Sequence, residues 1–245
     1  MHKVAAALVL VLSVSAAARE PVQQAVDFRE CPQFFASGVA PRVAVVEKLK
    51  PRALCYEAFA ILHSGRSKTP VFVAQRLNRA SLTDAKDEKR TNRFFADARL
   101  PSAERAQLED YKGSGYDRGH MAPAADMPTA RAMAQSISLA NMVPQNRTNN
   151  RKAWAGIERA TRKYVMRAKG DVYVITGPVF DAVPKTIGGG KVWVPTHLFK
   201  LDYDEATGRA WAALGREYRQ GPSGQADLIP RTGRADWGRV FADGQ

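Results

Sequence analysis

The stretch YDRGHMAPAADM, residues 116–127, surrounds one of the four histidines in this 245-residue chain. His120 follows Asp117, Arg118 and Gly119. Histidine is the side chain whose ordinary pKa lies nearest neutrality, so a well-placed imidazole can act as a general base. Arginine offers phosphate a planar fork of donors. Most histidines beside an arginine are nonetheless structural, so this stretch alone indicates no more than a candidate site.

A second segment, NNRKAWAGIERATRKYVMRAKG at residues 149–170, has the strongest helical pattern in the chain. Asn150, Trp154, Glu158 and Arg162 recur every four residues and are predicted to lie near one face. An amide oxygen and a carboxylate on one face are ligands of the kind that Mg²⁺ prefers. Taken singly, Asn150 is also explained as a helix cap, Trp154 as core, and Glu158 with Arg162 as a surface ion pair.

Residues 1–18 have the pattern of a secretory signal peptide. Lys3 supplies the positive start, an apolar run extends from Val4 to Val14, and small residues precede the expected cleavage after Ala18. The pattern predicts export, to the periplasm or the medium, and an uncleaved membrane anchor is the alternative. The rest of the chain has no apolar run of the length that spans a bilayer.

The chain contains two cysteines, Cys31 and Cys55. In an exported protein an even pair is most simply a disulfide, and two free buried thiols are the alternative. The spacing and the number exclude a C-x-x-C redox pair and a cysteine-rich zinc site.

The chain is strongly basic, with 37 lysines and arginines against 24 acidic residues and a net charge of +13. Loss of residues 1–18 removes one lysine and leaves a net charge of +12. Such a charge favours an anionic partner. Nucleic acid, a membrane, a wall polymer and a merely solvated basic surface all fit the charge by itself.

Strand-like and helical stretches alternate without a repeat or a Gly/Ser-rich linker, which predicts one domain over residues 19–245, with its core from about residue 27. The predicted fold is α+β, with a central mixed or antiparallel sheet flanked by helices. The predicted strands are 54–65, 69–78, 171–180, 191–204 and 209–218, of which the first two form a hairpin. Helices are predicted at 102–112, at the start of 131–145 and at 149–170, and 81–97 is predicted to be a loop or a short helix.

The remaining candidate motifs have structural interpretations. His63 ends an apolar strand, and His197 lies in a predicted strand. The triplet Gly188-Gly189-Gly190 lacks the Gly-Lys-Ser/Thr ending of a phosphate-binding loop and is interpreted as a flexible turn.

YDRGHMAP, followed by NMVPQNRTNNRKAWAGIE, resembles the DNA/RNA non-specific endonucleases with a ββα-metal core. The DRGH box and the N-x-x-x-W-x-x-x-E helix are far more specific together than either is alone. CPQFFASGVAP, LCYEAFAILHSG and TPVFVAQRLNR resemble the N-terminal part of bacterial exported members. VITGPVF and VWVPTHLFKL resemble the strands that follow the metal helix. The resemblance implies a ββα-metal nuclease core on the central sheet.

The resemblance also implies roles for three residues. His120 matches the histidine that takes a proton from water as the general base. Asn150 matches the direct protein ligand of one Mg²⁺, for which Mn²⁺ or another divalent ion can substitute. Glu158 matches the glutamate that holds the water shell of the metal.

Further residues of the resemblance concern the phosphate. Arg118 and Arg162 match arginines that contact it. A third phosphate contact precedes F-x-x-D, and RTNRFFAD places Arg90 there, with Arg93 as the alternative. Asp117 is predicted either to orient His120 or to bond the backbone, and Gly119 to give the backbone an unusual conformation.

The implied reaction is Mg²⁺-dependent hydrolysis of DNA and RNA to 5′-phosphate and 3′-hydroxyl ends. Contacts to phosphates carry no base information, so no sequence preference is expected. A non-catalytic nucleic-acid-binding module and a phosphodiesterase for small nucleotides are the alternatives. The complete set of His120, Asn150 and Glu158 favours the nuclease, because binding alone needs none of them. A protein inhibitor and a homodimer are both compatible with the sequence.

Overall fold

A computed structural model describes residues 27–43, 46–217 and 227–229. The predicted signal peptide, residues 1–18, lies outside the described residues. The strands are β1 (Pro51–Cys55), β2 (Ala60–Ser64), β3 (Thr69–Leu77), β4 (Asp117–His120), β5 (Met142–Gln145), β6 (Val172–Val179), β7 (Thr186–Ile187), β8 (Val192–Trp193), β9 (His197–Asp204), β10 (Arg209–Arg216) and β11 (Asp227–Ile229). The α-helices are α1 (Arg79–Asp84), α2 (Leu108–Tyr111), α3 (Ala130–Ser136) and α4 (Ala155–Val165), and a π-helical turn, Asn149–Trp154, leads into α4.

Seven strands form one sheet in the order β1-β2-β3-β6-β9-β10-β11, and every neighbouring pair is antiparallel. The prediction of an α+β fold is confirmed, and its antiparallel alternative is the one adopted. β9 alternates between half-buried and buried residues along its length, as expected for a strand with one covered face. None of the described helices has the length and apolar character that a bilayer span requires.

Residues 78–171 form an insertion between two neighbouring strands of the sheet. The chain leaves the sheet at Leu77 and returns at Val172, and these two residues pair directly. Within the insertion, β4 pairs antiparallel with β5, so that His120 lies opposite Met142. The π-helical turn and α4 follow β5. Two paired strands followed by a helix are the ββα arrangement that the resemblance implied.

The helix of the insertion packs on the sheet through a few large side chains. Trp154 is buried in the cluster that also contains Met121, Val143 and Leu198. Val165, near the end of α4, packs in a second cluster with residues of β3 and β6. These contacts fix the position of the helix beside the β4–β5 ribbon.

Several predicted elements are interrupted. The prediction of one strand at 54–65 is wrong, because Tyr56 donates its N–H to the Phe59 carbonyl in a turn that separates β1 from β2. The hairpin that follows, β2 with β3, is confirmed. The prediction of one helix at 102–112 is also wrong. A 3-10 turn, Ser102–Glu104, is followed by α2, which begins anew where the Asp110 carboxylate accepts the Gln107 N–H at 2.9 Å.

Prolines and glycines account for the other differences. Residues 191–204 form β8 and then β9, with Pro195, which has no N–H to donate, between them. β6 continues through Gly177-Pro178 to Val179 rather than ending there. The glycine triplet is not a free turn: Gly190 donates its N–H to Asp110 Oδ1 at 2.6 Å, and a side chain at Gly188 would collide with Asp110.

The Cys31–Cys55 disulfide ties the N-terminal segment to the edge strand β1. Phe28, Phe34 and Phe35 of that segment pack against Phe72 and other apolar residues on one face of the sheet. The predicted disulfide is therefore present in the structure, and it reinforces an aromatic cluster.

We expect reduction to destabilise the protein, because the disulfide closes a loop with a sequence separation of 24. Loop-closure entropy for that length corresponds to about 3 kcal/mol in the free energy of unfolding. Urea unfolding of the oxidised protein, the reduced protein and Cys31→Ala/Cys55→Ala measures the difference. Two titratable thiols in the untreated native protein would contradict the assignment.

Candidate active site

A cavity of about 910 Å³ opens between β4, α2, the start of the helix and the segment after α1. Six of the predicted site residues line it, although they come from three separate parts of the insertion. They are Arg90, Asp117, Arg118, His120, Asn150 and Glu158. Arg93 and Arg162, which were also predicted, do not line this cavity.

His120 ends β4 at the cavity wall and is only 9% exposed. Burial, assisted by the positive charge of Arg90, lowers the pKa of His120 to about 3. The imidazole is therefore neutral at physiological pH, which is the form that accepts a proton. Its Nε2 atom is buried and has no hydrogen-bond partner among the described residues. His120 therefore places a neutral imidazole at the wall of the cavity.

Gly119 is required for space rather than for backbone freedom. It lies in regular pairing opposite Val143 and is not among the glycines with positive φ, so the predicted unusual conformation is wrong. A β-carbon at Gly119 would collide with Oε1 of Gln145, a fully buried residue on β5. The glycine therefore lets β4 and β5 approach each other closely beneath His120.

Asp117 connects β4 to the start of the helix. Its carboxylate accepts a hydrogen bond from Asn150 Nδ2 at 3.1 Å and two from Arg151 at 2.9 and 3.1 Å. Burial opposes ionisation, but the hydrogen bonds from Arg151 and Asn150 and the charges of Arg151 and Arg147 outweigh it and keep the pKa of Asp117 below its usual value. Neither predicted role, orienting His120 or bonding the backbone, accounts for these contacts.

The hydrogen bond to Asp117 determines how the Asn150 amide is oriented. Because Nδ2 donates to the carboxylate, Oδ1 remains as the acceptor, and an amide oxygen is a suitable ligand for a hard cation. Asn150 lies within the π-helical turn, which starts after Thr148, so it is not the helix cap.

Glu158 lies on the same cavity wall, eight residues after Asn150. Burial, with a further contribution from the negative charge of Asp126, raises the pKa of Glu158 to about 7, although the positive charge of Lys200 opposes the shift. A divalent cation beside this carboxylate would favour its ionised form.

Asn150 and Glu158 suit a metal that is bound mainly through water. The described residues contain no group of three or more His, Cys, Asp or Glu side chains arranged to hold a metal ion. One amide oxygen and one carboxylate do not form such a group, whereas Mg²⁺ commonly keeps several waters and uses few protein ligands. The donor set therefore fits a hydrated hard cation and not a structural zinc.

Only some of the predicted arginines line the cavity. Arg90 lines the cavity and is close enough to His120 to affect its pKa, whereas Arg93, also exposed, does not line it. Between these alternatives, the structure brings Arg90 to the site. Arg118 lies over the ring of Phe94, with its guanidinium carbon 4.2 Å from the ring centre. This cation–π contact holds a flexible side chain at the cavity wall.

Arg162 has a different partner from the one that the helical spacing suggested. Its Nη1 atom is 3.0 Å from Oδ1 of Asp126, a buried carboxylate, so the structure shows no Glu158–Arg162 surface pair. Gln75 Nε2 donates to the other oxygen of Asp126 at 3.4 Å. In this structure Arg162 neutralises a buried charge beside the site.

Two buried polar residues that support the site were not predicted. Asn141 donates from Nδ2 to the carbonyls of Ala122 and Ser136 and accepts the Ala122 N–H, which holds the end of β4 against the start of β5. Glu217 accepts hydrogen bonds from the Asn146 N–H and from the Asn149 side chain. No local pattern indicates either residue, because their partners are brought close only by the fold.

A third unpredicted feature lies beneath the helix on β9. Lys200 and Asp202 are both 1% exposed, and Lys200 Nζ donates to Thr176 Oγ1 at 3.0 Å. Burial raises the pKa of Asp202 to about 6 against the opposing charge of Lys200. The sequence does contain a signal for this feature. In KLDYD, residues 200–204, every second residue is charged, and in a strand these residues face the same side, which is the buried one here.

The other histidines lie away from the cavity. His63 is buried, and its Nε2 lies 2.9 Å from the Glu104 carbonyl oxygen, while burial lowers its pKa to about 4. His197 begins β9 and its Nδ1 lies 3.1 Å from Thr196 Oγ1. Neither residue lines the cavity.

Comparison with known proteins agrees with this geometry. Residues 38–227 match the sequence model of the DNA/RNA non-specific endonuclease family. The chain is 35% identical over 190 residues to Nuclease 1, mitochondrial, of Schizosaccharomyces pombe, covering 70% of this chain and 54% of that protein. It is 35% identical over 162 residues to Nuclease EXOG, mitochondrial, of Homo sapiens, covering 61% and 43%. The chain thus spans about half the length of these curated relatives.

A solved structure has a similar fold. A chain in the crystal structure of the EndoG/EndoGI complex, which addresses the mechanism of EndoG inhibition, superposes with a TM-score of 0.64 at 26% identity. The match covers 73% of this chain and 80% of that chain.

The close contact at Gly119 gives a direct test of the site's construction. We expect Gly119→Ala to lower the free energy of unfolding by about 1–3 kcal/mol, because the added methyl group overpacks the β4–β5 ribbon against Gln145. Gly156→Ala on α4 is the matched control. Its nearest contact would be Arg159 at 3.8 Å, and replacing a helical glycine is expected to stabilise the fold by about 0.5–1 kcal/mol. Urea unfolding measures both, and equal stability of Gly119→Ala and wild type would refute the steric role.

Proposed function

Because the chain belongs to the DNA/RNA non-specific endonuclease family, we propose that it hydrolyses phosphodiester bonds in DNA and RNA as a Mg²⁺-dependent endonuclease without sequence preference. The observation that carries the proposal is that His120, which burial keeps neutral, lines the same cavity as Asn150 and Glu158. A neutral base beside oxygen ligands and two arginines has the groups that phosphodiester hydrolysis needs.

His120 acts in this proposal as the general base. A ring nitrogen of the neutral imidazole accepts a proton from a water molecule, and the oxygen of that water forms a bond to phosphorus. The bond between phosphorus and the 3′-oxygen breaks, and the leaving oxygen takes a proton from solvent. The products are a 5′-phosphate and a 3′-hydroxyl.

The remaining residues bind the metal and hold the phosphate. Asn150 supplies the direct protein ligand for Mg²⁺ through Oδ1, and Glu158 holds the waters of the metal. When bound, Mg²⁺ stabilises the charge that grows on the phosphoryl group and the leaving oxygen. Arg90 and Arg118 hold the phosphate oxygens, and Arg162 affects the site through its ion pair with Asp126. Mn²⁺ or another divalent ion with the same ligand preference can take the place of Mg²⁺.

Recognition through phosphates accounts for the proposed substrate range. Phosphates carry no base code, so contacts with them bind DNA and RNA without reading a sequence. The net charge of +13 supports such binding, which weakens as salt is added.

Export is part of the proposal, to the periplasm or the medium, as for bacterial exported members of the family. It is supported by the pattern of residues 1–18 and by the disulfide, since such bonds persist mainly in oxidising compartments. The two curated relatives described above carry the word mitochondrial in their names.

The base assignment is tested with plasmid DNA and RNA in the presence of Mg²⁺. We expect His120→Ala to lose cleavage by a factor of about 10² or more, because no other group replaces the proton acceptor, while nucleic-acid binding is retained. His197→Ala is the matched control, since it removes a half-buried histidine that lies outside the cavity. Cleavage by purified His120→Ala at the wild-type rate would refute the assignment.

The metal assignment is tested through the dependence of cleavage on Mg²⁺ concentration. We expect EDTA to abolish cleavage and Asn150→Ala to raise the half-saturating Mg²⁺ concentration about tenfold or more, because the direct protein ligand is lost. Arg151→Ala serves as the control: it also removes a partner of Asp117, but it removes no oxygen ligand. An equal shift in both variants would assign Asn150 a structural role only, and full activity in EDTA would exclude a metal requirement.

A further inference from the structure

A second groove, of about 870 Å³, lies beside the catalytic cavity. It runs between α1 and the outward face of α4. Arg90, Ala124 and Ala125 line both the groove and the cavity, so the two are adjacent. Apart from Arg90, which lines both, and Arg162, which is paired with Asp126, no residue of the groove has a role in the proposed reaction.

Six of the thirteen residues that line the groove are cationic. On α4 and just beyond it, Arg159, Lys163 and Arg167 are exposed and recur every four residues, so they lie along one helix face over about 12 Å. Lys86 extends the same charge from the segment after α1. Within the described part of the chain, no ion pair joins any of these four side chains to a carboxylate.

Little negative charge offsets this row. Glu88 is the one carboxylate among the residues that line the groove, whereas Lys86, Arg90, Arg159, Arg162, Lys163 and Arg167 are cationic. Arg162 is already paired with Asp126. The floor between the charges is apolar and includes Leu82, Met133 and Met166. The groove therefore combines a charged wall with an uncharged floor.

We propose that this groove binds the sugar-phosphate backbone of the nucleic-acid strand that flanks the scissile bond. The strand passes from the cavity over Arg90 and along α4, where the cations meet successive phosphates and the floor contacts sugars and bases. A linear row of cations beside the cavity fits a long polyanion that is already held there. The inference rests on the proposed function for the identity of the substrate.

The proposal has a consequence for substrate length. A strand that occupies both the cavity and the groove makes phosphate contacts that a very short oligonucleotide cannot reach. The row formed by Arg159, Lys163 and Arg167 is about 12 Å long, which is the length of about three to four nucleotides of one strand in duplex geometry. Polynucleotides should therefore bind more tightly than short fragments, whatever their bases.

The test measures binding rather than cleavage and is made in the His120→Ala background in EDTA, so that no substrate is consumed. The groove variant is Arg159→Gln/Lys163→Gln/Arg167→Gln. The matched control, Arg42→Gln/Lys48→Gln/Arg66→Gln, removes the same charge from exposed residues that line neither the cavity nor the groove. The probes are a 20-nucleotide DNA strand of mixed sequence and a trinucleotide, each followed by fluorescence anisotropy over a range of salt concentrations.

We expect the groove variant to bind the 20-nucleotide strand about tenfold or more weakly than the control variant, and its trinucleotide affinity to fall much less. Each phosphate contact in a single strand contributes about 0.7 to the slope of log K against log salt, so the slope should decrease by about 2. Equal affinities and slopes for the groove and control variants would overturn the proposal. Absence of nuclease activity in the wild type would refute the proposed function instead, while the binding comparison would still decide the role of the groove.

Discussion

The Asp117 carboxylate connects the two parts of the candidate active site. It lies three residues before His120 and bonds the side chains of Asn150 and Arg151, so one ionised group joins the strand that carries His120 to the helical segment that carries Asn150. Arginine and amide donors keep that group charged despite burial. The same contact directs the Asn150 amide so that its oxygen is available. A small displacement of β4 would therefore change the position of His120 and the orientation of the Asn150 amide together.

Charges buried beneath the helix form the second layer of the site. Lys200 and Arg162 lie among three carboxylates, those of Asp126, Glu158 and Asp202. Burial raises the pKa of both Glu158 and Asp202, which is the expected response when carboxylates outnumber cations in a poorly solvated region. Removing one partner from such a group is costly, because the opposite charge remains buried without compensation. The buried charges beneath the helix thus act on Glu158 at the cavity wall.

The α+β fold and six of the residues that line the cavity could be predicted, because their signals are local in sequence. DRGH occupies one strand, and Asn150 and Glu158 share one helical segment. The partners of Asp117 lie 33 and 34 positions away, so their pairing depends on tertiary register and had no local signal. A four-residue period predicted the helix but not the π-helical turn, whose hydrogen bonds reach one residue further. Turns within aromatic runs, such as that after β1, were likewise hidden by strand-like composition.

All residues that line the cavity and the neighbouring groove belong to the insertion, residues 78–171. Both ends of that segment meet at adjacent strands of the sheet, through the pairing of Leu77 with Val172. The cost of closing so long a segment rises only slowly with its length, so residues added to or removed from its exposed turns alter the entropy of closure little. The shape and charge of the cavity and the groove can therefore vary during evolution. The strand register of the sheet stays the same.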